Sequence, residues 1–225
     1  MYQLRRYLKL PDEVKALWDR VLAIIKTYKF EEKICNKGME IAEKFLQQLV
    51  SQKDLKGLKL FKECIKHVYA KCHTVEVAGV AALTSANYFT LVMKLKDILL
   101  SSEYDTVKNY FEEYPDVMRV QSSYIVITDY IYDAKHGFCE VPEPVLELAK
   151  KWSLQYPKEI EFQESYFHLL LSQFEYEYRK KKKRKLYQIL SEMEAVARRA
   201  DYSEYNEEND LLDVLEWIKF EYNIK

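Results

Sequence analysis

The chain of 225 residues predicts an all-α protein, on three observations. It holds only four glycines and five prolines, far fewer than the turns of strands, hairpins and barrels consume. Its apolar residues recur at steps of three and four, the spacing of one helix face. Hydrophobic residues make up 48% of the chain, enough to bury a core at this length. The expected architecture is about nine to ten antiparallel helices, arranged as an α-solenoid or an irregular helical bundle. One all-helical domain over residues 1–225 is expected, with a sub-boundary near Thr74.

The first ten residues form a basic arm with Arg5, Arg6 and Lys9. Pro11 followed by Asp12 and Glu13 starts a helix, because proline fits the first turn and acids there complement the macrodipole. Val14, Leu17, Trp18, Val21, Leu22, Ile25 and Tyr28 are its predicted core stripe. A second helix reads from about Glu31 to Gln52, with Ile34, Ile41, Ala42, Phe45 and Leu49 inward and Gly38 inside it at a cost of ~1 kcal/mol. Asp54 caps a third, carrying Leu58, Phe61, Ile65, Val68 and Cys72. Short loops make these helices antiparallel neighbours.

From Thr74 to Leu100 the chain is apolar almost without a break, and a helix apolar all round is a buried one. Ala78, Gly79, Ala81 and Ala82 let neighbouring backbones approach, while a buried strand at Val75 to Val80 is the competing reading. Ser101 or Ser102 caps a shorter helix that Pro115 ends. Ser123-Tyr124-Ile125 opens an aromatic and aliphatic run, broken by a loop from Gly137 to Pro144 and followed by a second helical run that closes on Tyr156-Pro157. That loop is longer than its neighbours and is the expected place of an inserted contact surface. Three further helices carry Phe162, Tyr166, Leu169, Leu170 and Phe174, then Leu186, Ile189, Leu190, Met193 and Val196, then Leu211, Val214, Leu215 and Ile218. A polar loop from Asp201 to Asn209 precedes the last.

Tyr88, Tyr124 and Tyr166 stand 36 and 42 residues apart, and Tyr114-Pro115 and Tyr156-Pro157 stand 42 apart. Helix pairs of ~34 to ~47 residues are the units of α-solenoids. Over Leu83 to Ala200 the chain resembles tetratricopeptide repeat proteins, whose units end in a similar proline-bearing closure. The resemblance implies a stack of helical hairpins with a groove for a peptide or partner helix.

The 35 basic and 36 acidic residues leave no global charge to attract nucleic acid, so local charge must carry any such case. The sharpest local feature is Arg179, Lys180, Lys181, Lys182, Lys183, Arg184 and Lys185. Seven consecutive cations repel one another and favour an exposed turn or helix end. Phe174, Tyr176 and Tyr178 before the run and Tyr187 after it offer rings on which bases stack, and Arg5 and Arg6 add to this candidate polyanion site. The competing readings are a solvated turn, which in a eukaryotic source also reads as a nuclear localisation patch, and contact with a membrane surface or an acidic protein patch. Charge is uneven along the chain: residues 1–75 hold 16 basic and 9 acidic side chains, residues 200–225 hold 2 and 8. Such poles allow head-to-tail pairing between copies, pairing within one molecule, or no more than solvated faces, and the last is the expected reading.

Cys64, His67, Cys72 and His73 fall within ten residues, but on a helix they do not share one face, and no second ligand pair follows. Buried thiols with a partly exposed His67 are the default. Asp133, His136 and Cys139 contain the residue types of nucleophilic catalysis, and Asp210 with Asp213 resembles part of a magnesium-binding aspartate motif whose second half is missing. No Walker loop, glycine-rich dinucleotide turn or HExxH occurs. Four cysteines are too sparse for a disulfide framework. No signal-like start and no uncharged apolar window of spanning length is read, so a cytoplasmic protein without membrane insertion is expected. The Lys-, Glu- and Tyr-rich usage is thermophile-like. The expected function is a non-enzymatic module binding another protein or peptide, without cofactor or metal; the alternative is nucleic-acid association through the basic run.

Overall fold

The computed structural model describes residues 12–133, 139–200 and 211–222, and among them there are ten α-helices and no strand. They are α1 (Asp12–Thr27), α2 (Glu32–Ser51), α3 (Leu55–Tyr69), α4 (Val75–Lys96), α5 (Ser101–Glu113), α6 (Met118–Tyr132), α7 (Glu143–Gln155), α8 (Ile160–Arg179), α9 (Lys183–Ala197) and α10 (Leu211–Glu221). Arg5 and Arg6 lie outside the described residues. The backbone divides into two compact units, Met1–Ile127 and Thr128–Lys225. Thr74 lies inside the first, and the division falls within α6.

In the first unit α1 packs on α2, α2 on α3 and α4, and α4 on α3 and α5. Trp18 of α1, Phe45 of α2 and Phe61 of α3 meet with ring centroids 5.0 to 5.8 Å apart, and this aromatic knot sits at the core. Gly38 belongs to the same contact. A Cβ built there would stand 2.7 Å from Ile25 Cδ1 and 3.2 Å from Val21 Cγ1, so the glycine lets α1 approach α2. Asp54 caps α3 by accepting the Gly57 N–H at 3.0 Å. Thr74 caps α4 by accepting the Val77 N–H at 3.3 Å, and its own hydroxyl donates to Asn36 Oδ1 at 2.6 Å.

The stretch from Val75 to Val80 is helix, not strand, and α4 buries residues around most of its circumference. It is the described helix long and apolar enough to cross a membrane by length and composition, and 67% of its most apolar window is buried in protein. Three local expectations need correction. The N-cap of α5 is Leu100, without a side-chain cap, and neither Ser101 nor Ser102 takes that place. Pro144 belongs to the first turn of α7, where its missing N–H costs nothing, so the preceding loop ends at Pro142. Leu17 and Tyr28 leave the core stripe and are 48% and 55% exposed, because α1 turns the arc of Trp18, Val21, Leu22 and Ile25 to its neighbours.

In the second unit α7 packs on α8, α8 on α9 and α9 on α10. Trp152, Phe162, Phe167 and Phe174 are buried in its core. One local device occurs twice. Tyr114 and Tyr156 end α5 and α7 with nearly the same backbone, φ −129°, ψ 60° and φ −122°, ψ 64°. Six residues beyond each proline stands a buried glutamine that turns back on the chain end: Gln121 Nε2 donates to Pro115 O at 2.8 Å, and Gln163 Nε2 donates to Ser153 O at 2.7 Å and Tyr156 O at 3.2 Å. Helices α5 and α7 start and end 42 residues apart, and so do the starts of α6 and α8. Buried positions correspond at the same offset: Val107 with Ala149, Tyr110 with Trp152, Val120 with Phe162, Ile125 with Phe167 and Ile127 with Leu169.

Candidate functional site

The basic run closes α8, forms the turn and opens α9. Lys181 takes a left-handed conformation, φ 58°, and the N–H of Lys182 donates to Glu177 O at 3.2 Å. This is the helix ending in which glycine usually stands, and the chain uses a lysine. Repulsion among the cations is relieved from below. Glu177 is fully buried on α8, and Lys185 Nζ donates to its Oε1 at 3.2 Å while Lys182 Nζ lies 3.4 Å from Oε2. Gln173 Nε2 donates to Glu177 Oε1 at 3.2 Å, and Gln173 Oε1 accepts the Val141 N–H at 3.0 Å, which ties the chain ahead of α7 into the same network. Burial alone would raise the carboxyl pKa of Glu177, but the hydrogen bonds and charges of Lys185 and Lys182 outweigh it and hold it below the usual range.

The tyrosines expected to stack bases have partners already. Lys180 Nζ lies 4.0 Å over the Tyr176 ring and bonds to its hydroxyl, which donates to Glu140 Oε2 at 3.0 Å. The Tyr178 ring packs on Phe174 and Tyr222, with centroids 6.1 and 4.6 Å away. Arg179 is exposed at the end of α8. Lys181 and Arg184 are exposed with no ion-pair partner among the described residues. Tyr187 is 60% exposed.

A second surface of the same unit escaped the sequence reading. On α10, Leu211, Leu215 and Ile218 face inward, and the opposite face carries Trp217 and Phe220, 58% and 83% exposed. Asp213, Glu216 and Glu221 surround these rings at helical spacing and are exposed too. The signal lay in the period: Trp217 and Phe220 fall three apart, off the Leu211, Leu215, Ile218 arc.

In the first unit a cavity of about 180 Å³ is lined by Lys62, Lys66, Ser85, Ser102, Glu103 and Tyr110 among others. Lys62, which is half-buried, pairs with buried Glu103 and lies 4.6 Å over the Tyr88 ring, so the two charges satisfy each other. Burial, with Glu103 nearby, pushes the Tyr110 hydroxyl up to about 12. In the second unit His168 Nδ1 lies 3.0 Å from Asp129 Oδ2. Burial works against the imidazolium, but Asp129, with Glu164 and Asp133 behind it, raises the His168 pKa above the ordinary value.

The thiol and imidazole cluster disperses. Cys72 is buried beside Cys35, whose thiol is pushed up to about 12 by burial and by that neighbour. His67 packs on Phe30 and His73 on Tyr69, with centroids 6.0 and 4.7 Å apart. Among the described residues no three His, Cys, Asp or Glu side chains converge as metal ligands. Cys139 is exposed, whereas His136 and Asp210 lie outside the described residues. Comparison of the chain with protein-family models, with curated proteins and with solved structures finds no match.

Proposed function

We propose that this protein is a non-enzymatic interaction module of the helical-repeat type, and that the outer face of α10 is where it engages another protein. The recurrence of a helix pair at 42 residues, with a glutamine at the same offset returning to the chain end though to different carbonyls, supports a tetratricopeptide-like array. The observation that carries the binding role is the exposure of Trp217 and Phe220 side by side on an ordered helix. Exposed aromatics grouped on one face mark binding surfaces, and Trp is the residue most enriched at hot spots. The surrounding acids select the partner: a helix or helix end with an apolar or aromatic side chain flanked by Lys or Arg.

The test is an anisotropy titration of the full chain with a labelled amphipathic peptide carrying a cationic rim, against the same peptide with an acidic rim. The cationic peptide binds, and Trp217→Ala with Phe220→Ala weakens it at least about tenfold. Equal binding by both peptides, or no effect of the double variant, refutes the reading. A second reading, nucleic-acid association, is favoured by Lys181, Arg184 and Tyr187 standing together at the surface. Filter binding of single- and double-stranded DNA and RNA across a salt series tests it, with steep salt dependence lost in Lys181→Asp with Arg184→Glu as the expected result.

A further inference from the structure

We infer that the partner of α10 is a second copy of this chain: the acid-rimmed aromatic face of each copy covers the cationic turn of the other. The inference rests on the reading of α10 as a docking surface and names its occupant.

The requirements that α10 sets for a partner are met by the basic turn. A cation next to a ring is needed opposite Trp217 and Phe220; of the acids at their edges, Glu216 is already met by Lys219 Nζ at 2.7 Å on the same helix, and Glu221 calls for further positive charge. Lys181 and Arg184 supply cations that Glu177 does not reach, since that carboxylate is engaged by Lys182 and Lys185. Tyr187 supplies the ring. On α9, Arg184, Tyr187, Gln188 and Ser191 share the outward arc, opposite Leu186, Leu190 and Met193, so cation and ring are presented together.

The segments that carry these residues are also opposite in charge by sequence. The run holds seven cations in a row, and residues 200–225 hold eight acidic side chains against two basic ones. Among the described residues of one copy, Lys181, Arg184 and Tyr187 at the turn and Trp217, Phe220 and Glu221 on α10 are all exposed, so neither set covers the other. Each copy carries both, so two such contacts related by a two-fold axis close a dimer, whereas one contact repeated without closure would give head-to-tail chains that grow with concentration. Bringing them together would neutralise the part of the run's repulsion that remains and would remove Trp217 and Phe220 from water.

Sedimentation velocity of the full chain, from about 1 to 100 µM at low and high salt, reads the association directly. A monomer–dimer equilibrium is expected, weakened at least about tenfold by raising the salt. Lys181→Asp with Arg184→Glu, and separately Glu216→Lys with Glu221→Lys, each leave the protein monomeric. Mixing these two variants restores a 1:1 dimer, because each reversed patch then meets its opposite. All four positions are exposed, Asp tolerates the left-handed place of Lys181, and Glu suits the first turn of α9; Glu216→Lys gives up only the surface pair with Lys219, so circular-dichroism melts within about 3 °C of wild type are expected.

Wild-type protein that stays monomeric throughout overturns the inference, as does a dimer indifferent to either pair of reversals. A monomer that still binds the cationic peptide through Trp217 and Phe220 overturns it too, while leaving the proposed function standing. A monomer that instead binds oligonucleotides through the turn assigns the cations to a polyanion and also overturns it.

Discussion

Glu177 changes the meaning of the residues around it. From the sequence, the seven cations read as one exposed cluster, because nothing in the order of residues says that an acid eight positions upstream of Lys185 is buried beneath them. The fold puts Glu177 two residues before the end of α8, where the reversing chain brings Lys182 and Lys185 back over it. The carboxyl pKa is lowered in the folded state, so its ion pairs add stability above the ordinary carboxylate range, and that stability is lost as the pH falls through the folded pKa. Glu177→Gln is therefore expected to lower the melting midpoint by about 4 °C at neutral pH, with the gap to wild type closing as the pH falls beneath the ordinary carboxylate range and through the lowered pKa. A gap of constant size in melts across that range would show that the charge is not what matters. Leu17, Tyr28, Trp217 and Phe220 teach the converse lesson: a hydrophobic residue announces helix spacing, but whether a neighbour covers it depends on a packing partner far away in sequence.

At the scale of elements, most boundaries were legible because they rest on local chemistry. Asp54 accepts the N–H three residues on, and Pro115 and Pro157 lack the N–H that a continuing helix needs. The serines ahead of α5 misled, because a hydroxyl near a helix start caps it only when the backbone places it at the N-cap, and Leu100 holds that place. The paired closure is the most informative element. Tyrosine and proline at a 42-residue offset were visible in the sequence, whereas the glutamine six residues further on gained its meaning only when its amide was seen to return to the ending chain. Removing that amide leaves carbonyl groups at a buried turn without their donor. Gln163→Ala is expected to cost about 1–3 kcal/mol of stability by urea unfolding, and Gln163→Glu at least as much at neutral pH, because it offers an acceptor where a donor is required. Full stability in the alanine variant would show that the closure holds without it.

At the scale of the whole molecule, the two compact units each carry a core tryptophan, Trp18 in the first and Trp152 in the second, while Trp217 faces solvent. Variants that keep one tryptophan at a time report each place separately. Denaturation followed through Trp18 alone and through Trp152 alone is expected to give different midpoints, and Trp217 alone to show a solvent-exposed emission maximum before unfolding; coincident midpoints would mean one cooperative unit. The all-helical class, the helix count and most of the core stripes follow from the sequence by itself, since they depend on periodicity, caps and the scarcity of glycine and proline, all of which act over a few residues. The division within α6, the internal carboxylate beneath the basic run and the uncovered rings of α10 were decided by tertiary structure alone. They depend on which helix faces meet, and that is settled by contacts between residues tens of positions apart, whose pairing no local pattern encodes.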